Sequence, residues 1–135
     1  MKEKTKKHPF LVVQPSEHRS ARANFTDTRR RVIFDEKMPE ISMFVGESEI
    51  LTRGKKISMH YHPFNEEFQF ILSGTGVVRD AQGIEYPLEP GTSIYCGVGP
   101  GSAHEFENTS DSPLVILCVF ISKSGKTPEQ NLVNK

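Results

Sequence analysis

Three of the five histidines fall in two short segments, His60-Tyr61-His62 and His104, and a carboxylate pair, Glu66-Glu67, closely follows the first of these. Neutral imidazoles and a carboxylate are donors that divalent transition ions accept. Side chains alternate faces along a strand, so His60 and His62 point to one side with Cα atoms roughly 6.6 Å apart, within reach of a single ion. Tyr61 between them points the other way. The Pro63-Phe64-Asn65 segment predicts a tight bend, after which the next strand can bring Glu67 back beside the histidines. A third strand can present His104 from across a barrel, giving three nitrogens and one oxygen. Two histidines alone would read as a solvent-facing or core pair on an edge strand; the occurrence of all four residues favours a metal site.

Such a set has to be positioned by strands, and the sequence is patterned for them. Apolar residues rarely recur at helical spacing for more than two turns, and no repeat of 20 to 50 residues is visible. Short β-branched or aromatic runs followed by turn signals recur instead. They predict strands at Phe10–Val13, Val32–Phe34, Ile41–Val45, Glu49–Thr52, Ile57–Tyr61, Phe68–Leu72, Gly76–Arg79, Ile84–Leu88, Ser93–Cys96, His104–Glu107 and Leu114–Ile121. Ser73-Gly74-Thr75-Gly76 and Asp80-Ala81-Gln82-Gly83 predict hairpin turns, while Pro90-Gly91 and Asn108 to Pro113 predict longer loops. Residues Pro15 to Arg31 form a weakly patterned arm able to wrap the barrel or a partner. Its Arg29-Arg30-Arg31 run reads as a solvated face or turn, with binding of an anionic ligand as the sharper alternative.

The 135 residues fit one domain. Seventeen Lys plus Arg balance seventeen Asp plus Glu, so no positive field exists to drive nucleic-acid binding, and none is expected. No apolar run approaches a membrane span, and the Phe10 to Val13 run, ended by Gln14 and Pro15, is too short for a signal-peptide core. Cys96 and Cys118 lie in unrelated patterns without a CxxC and read as reduced thiols, which predicts a cytoplasmic protein. Cys96 itself reads as a small buried hydrophobe. The expected division is a flexible tail over 1–9, a β-barrel with an N-terminal strand arm over 10–122, and a second flexible tail over 123–135. His8 and His18 stand outside any pattern and read as surface residues. Phe64, Phe68, Phe70 and Phe106 read as core or dimer surface.

Over roughly Gly54 to Phe120 the chain resembles the cupins, small β-barrel proteins with two signature motifs. The first is a Gly, five residues, His-x-His, three or four residues, Glu, six residues and Gly, and Gly54, His60, His62, Glu67 and Gly74 fill every fixed position. The six-residue gap to Gly74 selects Glu67 over Glu66, leaving Glu66 to point outward or to support a ligand. The C-terminal half of the second motif is matched by Gly101, His104 and Asn108. Its N-terminal half departs: the spacing from Gly91 to His104 is two residues longer than the family's, and Gly99 stands where the family has Pro.

The resemblance implies an all-β, single-domain cupin, a double-stranded β-helix or jelly-roll barrel with little helix, whose metal ligands are His60, His62, Glu67 and His104. One divalent transition metal ion per chain is implied, drawn from iron, manganese, zinc, nickel or copper. Strand alternation through Glu67, Gln69 and Ile71 turns Gln69 inward, where its amide can contact a substrate or orient a bound water. The implied function is a metal-dependent enzyme acting on a small oxygenated substrate by dioxygenase, isomerase or lyase chemistry. The alternative is a non-catalytic module that binds or senses a small carboxylate or sugar. No catalytic residue beyond the ligands is assigned. The strand-rich N-terminal forty residues outside the motifs predict a homodimer formed through exchanged or abutting edge strands.

Overall fold

The computed structural model describes residues 10–35, 43–121 and 129–133. These hold β1 (Arg19–Ala21), β2 (Thr28–Phe34), β3 (Met43–Ile50), β4 (Lys56–Tyr61), β5 (Glu67–Ser73), β6 (Gly76–Arg79), β7 (Glu85–Leu88), β8 (Ser93–Cys96), β9 (His104–Asn108), β10 (Leu114–Ile121) and β11 (Asn131–Leu132). Helix is confined to 3-10 turns at Pro15–Glu17 and Pro100–Ser102. The strands form two sheets, in the orders β1-β2-β3-β10-β5-β8 and β11-β4-β9-β6-β7. Every pairing is antiparallel. Two facing antiparallel sheets give the all-β jelly-roll barrel, the double-stranded β-helix that the motifs imply.

Period-2 burial explains why these segments settle as strands. Along β10, Leu114, Ile116 and Phe120 are buried, and along β5 the buried residues are Glu67, Gln69 and Ile71. Ile50, Ile71, Val78, Leu88, Phe106, Leu114 and Ile116 form the main core. A second cluster of Val32, Phe44 and Phe120 lies under the N-terminal strands, and Cys118 packs against both.

Four local expectations are corrected. Phe10–Val13 forms no strand: β1, not this run, is the edge strand beside β2. Ile41–Val45 and Glu49–Thr52 merge into the single strand β3; Gly46 does not break it, because a Cβ there would lie 2.8 Å from the Arg31 carbonyl, so glycine permits the close approach to β2. Residues 41–42 lie outside the described residues. The Ser73-to-Gly76 turn is a corner where the chain crosses from one sheet to the other rather than a hairpin, whereas Asp80 to Gly83 does join the hairpin β6–β7. Asn131–Leu132, in the stretch expected to be a tail, is strand β11 paired on β4. Residues 1–9 and 122–128 lie outside the described residues.

The arm over Pro15 to Arg31 wraps the barrel as β1 and the first half of β2. No helix among the described residues is long and apolar enough to cross a membrane.

Asn108 is fully buried and ties the loop after β9 to the barrel. Its Nδ2 donates to the carbonyls of Ile50 and Ser112, each at 2.9 Å, and its Oδ1 accepts from Ser110 N–H at 2.9 Å. Removing one partner of a buried hydrogen bond leaves the other unsatisfied, at about 1–3 kcal/mol each. Asn108→Ala is therefore expected to destabilise the fold by about 2–3 kcal/mol in a denaturant melt of metal-free protein. An unchanged midpoint would remove Asn108 from this role.

Candidate metal centre

Antiparallel pairing sets His60 on β4 directly opposite His104 on β9. His62 follows just beyond β4, and Glu67 opens β5 after the bend at residues 63–66. All four side chains are buried and line the space between the sheets, with Glu67 only 3% exposed. Imidazole nitrogens of His60, His62 and His104 lie within 4.8 Å of one another. Glu67 Oε1 is 3.5 Å from His62 Nε2 and 3.6 Å from His104 Nε2.

Each histidine is oriented by a backbone carbonyl. His60 Nδ1–H donates to Ser58 O at 2.8 Å, His104 Nδ1–H to Ser102 O at 2.9 Å, and His62 Nδ1–H to Glu129 O at 2.7 Å. Fixing the proton on Nδ1 leaves the Nε2 lone pair as the ligating atom, the arrangement in which outer partners hold metal-binding histidines. Phe120 packs edge-on to His62 at 4.7 Å and Phe106 to His104 at 5.8 Å, so the rings sit where the two apolar clusters meet.

The donor set fits an ion. With bonds of about 2.0–2.2 Å, ligand atoms on one metal stand about 3–4.4 Å apart, and both Glu67 contacts fall in that range. Glu67 Oε1 is buried without a hydrogen-bond partner, and a buried carboxylate oxygen left so is costly unless a cation meets it. Burial pushes His60 down to about 3, with the charge of His104 adding to the effect. Burial also lowers His62, against the pull of Glu67. At His104 burial lowers, but contact with Cys96 and the nearby Glu67 carboxylate outweigh it and carry the ring up to about 10.

Gln69 is buried and turned inward as the alternation predicts, with its amide nitrogen 3.5 Å from His104 Nε2. Glu66 is exposed and lies beside Tyr95. Tyr61 points away, its hydroxyl accepting from Asn131 Nδ2 at 3.2 Å. His18 is half-buried rather than on the open surface and does not line the cavity, while His8 is outside the described residues.

Three features escaped the sequence. Cys96 is buried with Sγ 3.4 Å from His104 Nδ1, and with Glu67 and His104 it forms a second group able to hold an ion. It approaches His104 from the Nδ1 side already turned to Ser102, so the three-histidine group with Glu67 is the better centre. The register Glu67↔Cys96 across β5 and β8 makes this contact, and only strand pairing reveals it. The second feature is the Glu129 carbonyl on His62. The third is the position of Arg30: its run is open to an anionic ligand in the sequence, but only the fold shows that it shares a cavity of about 50 Å³ with His60, His62, Glu67 and Gln69.

The departure from the second motif also has a geometric account. Gly99 has φ +89°, which proline, locked near −65°, cannot adopt. Its N–H donates to His62 O at 2.9 Å, and the turn at Pro100–Ser102 then delivers the Ser102 carbonyl to His104. The longer loop thereby keeps the third histidine in place.

Comparison with known proteins bears on the family and the fold. A family model described as "Cupin domain" matches residues 47–120. The chain is 33% identical over 76 residues to the tetracenomycin polyketide synthase protein TcmJ of Streptomyces glaucescens, covering 56% of this chain and 48% of that one. It is 34% identical over 71 residues to an oxalate-binding protein of Thermotoga maritima, covering 53% and 56%. The chain thus spans about half the length of the curated relatives it matches. Among solved structures, the polyketide cyclase RemF from Streptomyces resistomycificus superposes with TM-score 0.76 at 18% identity, covering 93% of this chain and 87% of that one, a likeness of fold.

Proposed function

Because the chain belongs to the cupin family, we propose that it holds one divalent transition metal ion on His60, His62, Glu67 and His104 and uses it on a small oxygenated substrate. The observation that carries this is the pairing of three imidazoles, each with Nδ1 tied to a carbonyl, with a buried Glu67 oxygen that has no hydrogen-bond partner. When bound, an ion with four protein ligands would have room for two substrate oxygens and would polarise them as a Lewis acid, or exchange electrons if it is iron or copper. The protein's own contribution is orientation and exclusion of water. Gln69 can donate from beside His104 to a substrate oxygen, while Phe106, Ile116 and Phe120 supply an apolar wall. The reaction class is then that of a dioxygenase, isomerase or lyase, with manganese, zinc or nickel as the other candidate ions.

A non-catalytic binding module is the second reading, favoured by the match to an oxalate-binding protein. Elemental analysis of the purified protein tests the metal, with about one equivalent per chain expected. Incubation with candidate substrates separates the two readings: an enzyme turns one over, and a module returns it unchanged. No metal, even after reconstitution, would sink the metal-dependent reading. The two free cysteines, Cys96 and Cys118, suit a reducing, cytoplasmic setting.

A homodimer is also proposed. Phe10, Leu11 and Val12 are 83%, 38% and 58% exposed, an apolar segment that nothing among the described residues covers. Light scattering at micromolar concentration is expected to give twice the chain mass, and a monomer mass would overturn this.

A further inference from the structure

The three consecutive arginines of β2 do not share one fate. Arg29 and Arg31 project from the outer face, where they pair with Glu49 at 3.2 Å and Glu47 at 3.8 Å. Alternation turns Arg30 the other way, with Thr28 and the buried Val32. Arg30 is half-buried, lines the cavity that holds His60, His62 and Glu67, and is close enough for its charge to disfavour protonation of both histidines. Among the described residues no carboxylate pairs with it.

A guanidinium drawn partly out of water without a counter-charge is costly, and its planar fork suits a carboxylate or phosphate. A divalent ion offset only by Glu67, next to this free cation, leaves the cavity electropositive. Its volume of about 50 Å³ has room for roughly four water-sized groups. Resting on the metal-site reading above, we propose that the ligand is a small organic dianion, one anionic group facing the histidine and Glu67 cluster and the other held by Arg30. Ser48, which lines the same cavity, offers a hydroxyl to its remaining oxygens. The neighbouring arginines serve β2–β3 pairing, which keeps the selectivity in one side chain.

The test is calorimetric titration of the protein as purified, with metal content measured on the same samples, using malonate, inorganic phosphate and acetate. Wild type is expected to bind malonate at least tenfold more tightly than acetate. Arg30→Gln should weaken malonate binding by 10- to 100-fold while leaving acetate within threefold, with Arg30→Lys intermediate and Arg31→Gln as wild type. Unaltered metal content and melting temperature in Arg30→Gln exclude misfolding as the cause. A malonate affinity indifferent to Arg30→Gln, or no preference for a dianion, overturns the proposal. Tighter binding of phosphate than malonate, with the same dependence on Arg30, overturns the two-headed organic ligand and leaves Arg30 as a phosphate site. A wild type that takes up no metal even after reconstitution sinks the metal reading alone, since the dependence on Arg30 is read from the same titrations.

Discussion

His62→Ala is expected to lose most of its bound metal, with affinity falling on the order of 100-fold or more, because even the outer partners of ligating histidines are worth 10- to 100-fold. The substitution removes the ring that stands 3.5 Å from Glu67 and leaves the Glu129 carbonyl facing a void. His18→Ala, outside the cavity, should leave metal content unchanged. Elemental analysis of both variants beside wild type reads the difference, and a melt in the presence of chelator shows whether the barrel itself survives. Equal retention of metal in the two variants would sink the assignment of His62 as a ligand.

The largest loss of stability is expected at Gly74. It turns the corner between sheets with φ +86°, and a Cβ there would lie 2.3 Å from Pro113 O and 2.8 Å from Leu114 Cα. Both obstacles are backbone, at the start of β10 where Leu114 enters the core, so neither can swing aside. Left-handed strain and a backbone clash together put Gly74→Ala at about 3 kcal/mol or more. Gly99→Ala is the comparison, since φ is again positive but a Cβ meets nothing within 4 Å, and backbone strain alone should cost it about 1–3 kcal/mol. Denaturant melts of the two metal-free variants compare them directly. Equal midpoints would mean that the clash relaxes and that only the backbone angle counts.

The sequence revealed most where the information is local. Alternation alone orients His60, His62, Gln69 and Tyr61, because the strand repeat of two residues needs no knowledge of the partner strand. It also predicts β6 and β8 within their observed bounds. What depends on pairing was hidden. Phe10–Val13 has strand composition but pairs with no strand among the described residues, while Arg19–Ala21 and Asn131–Leu132 have little strand composition and are held by β2 and β4. Cys96 meets His104 only through the β5–β8 register, and Arg30 is distinguished from its neighbours only once β2 is laid on β3. The motif glycine Gly74 was read for its backbone angle, but the crossing between sheets that makes it indispensable is a tertiary fact.

The carbonyls behind the three histidines impose an order of assembly. His60 and His104 lean on groups two residues back, so each is preset once its own segment forms, whereas His62 leans on a group 67 residues further along. Closing so long a loop is the slow, entropically demanding part of building a barrel. The third ligand can be set only after β11 docks on β4, where Val133 N–H also donates to Met59 O at 3.0 Å. Chelation would then act as a latch that favours the chain with its far end seated, and a chain that stops short of Glu129 would carry two rigid ligands and one loose one.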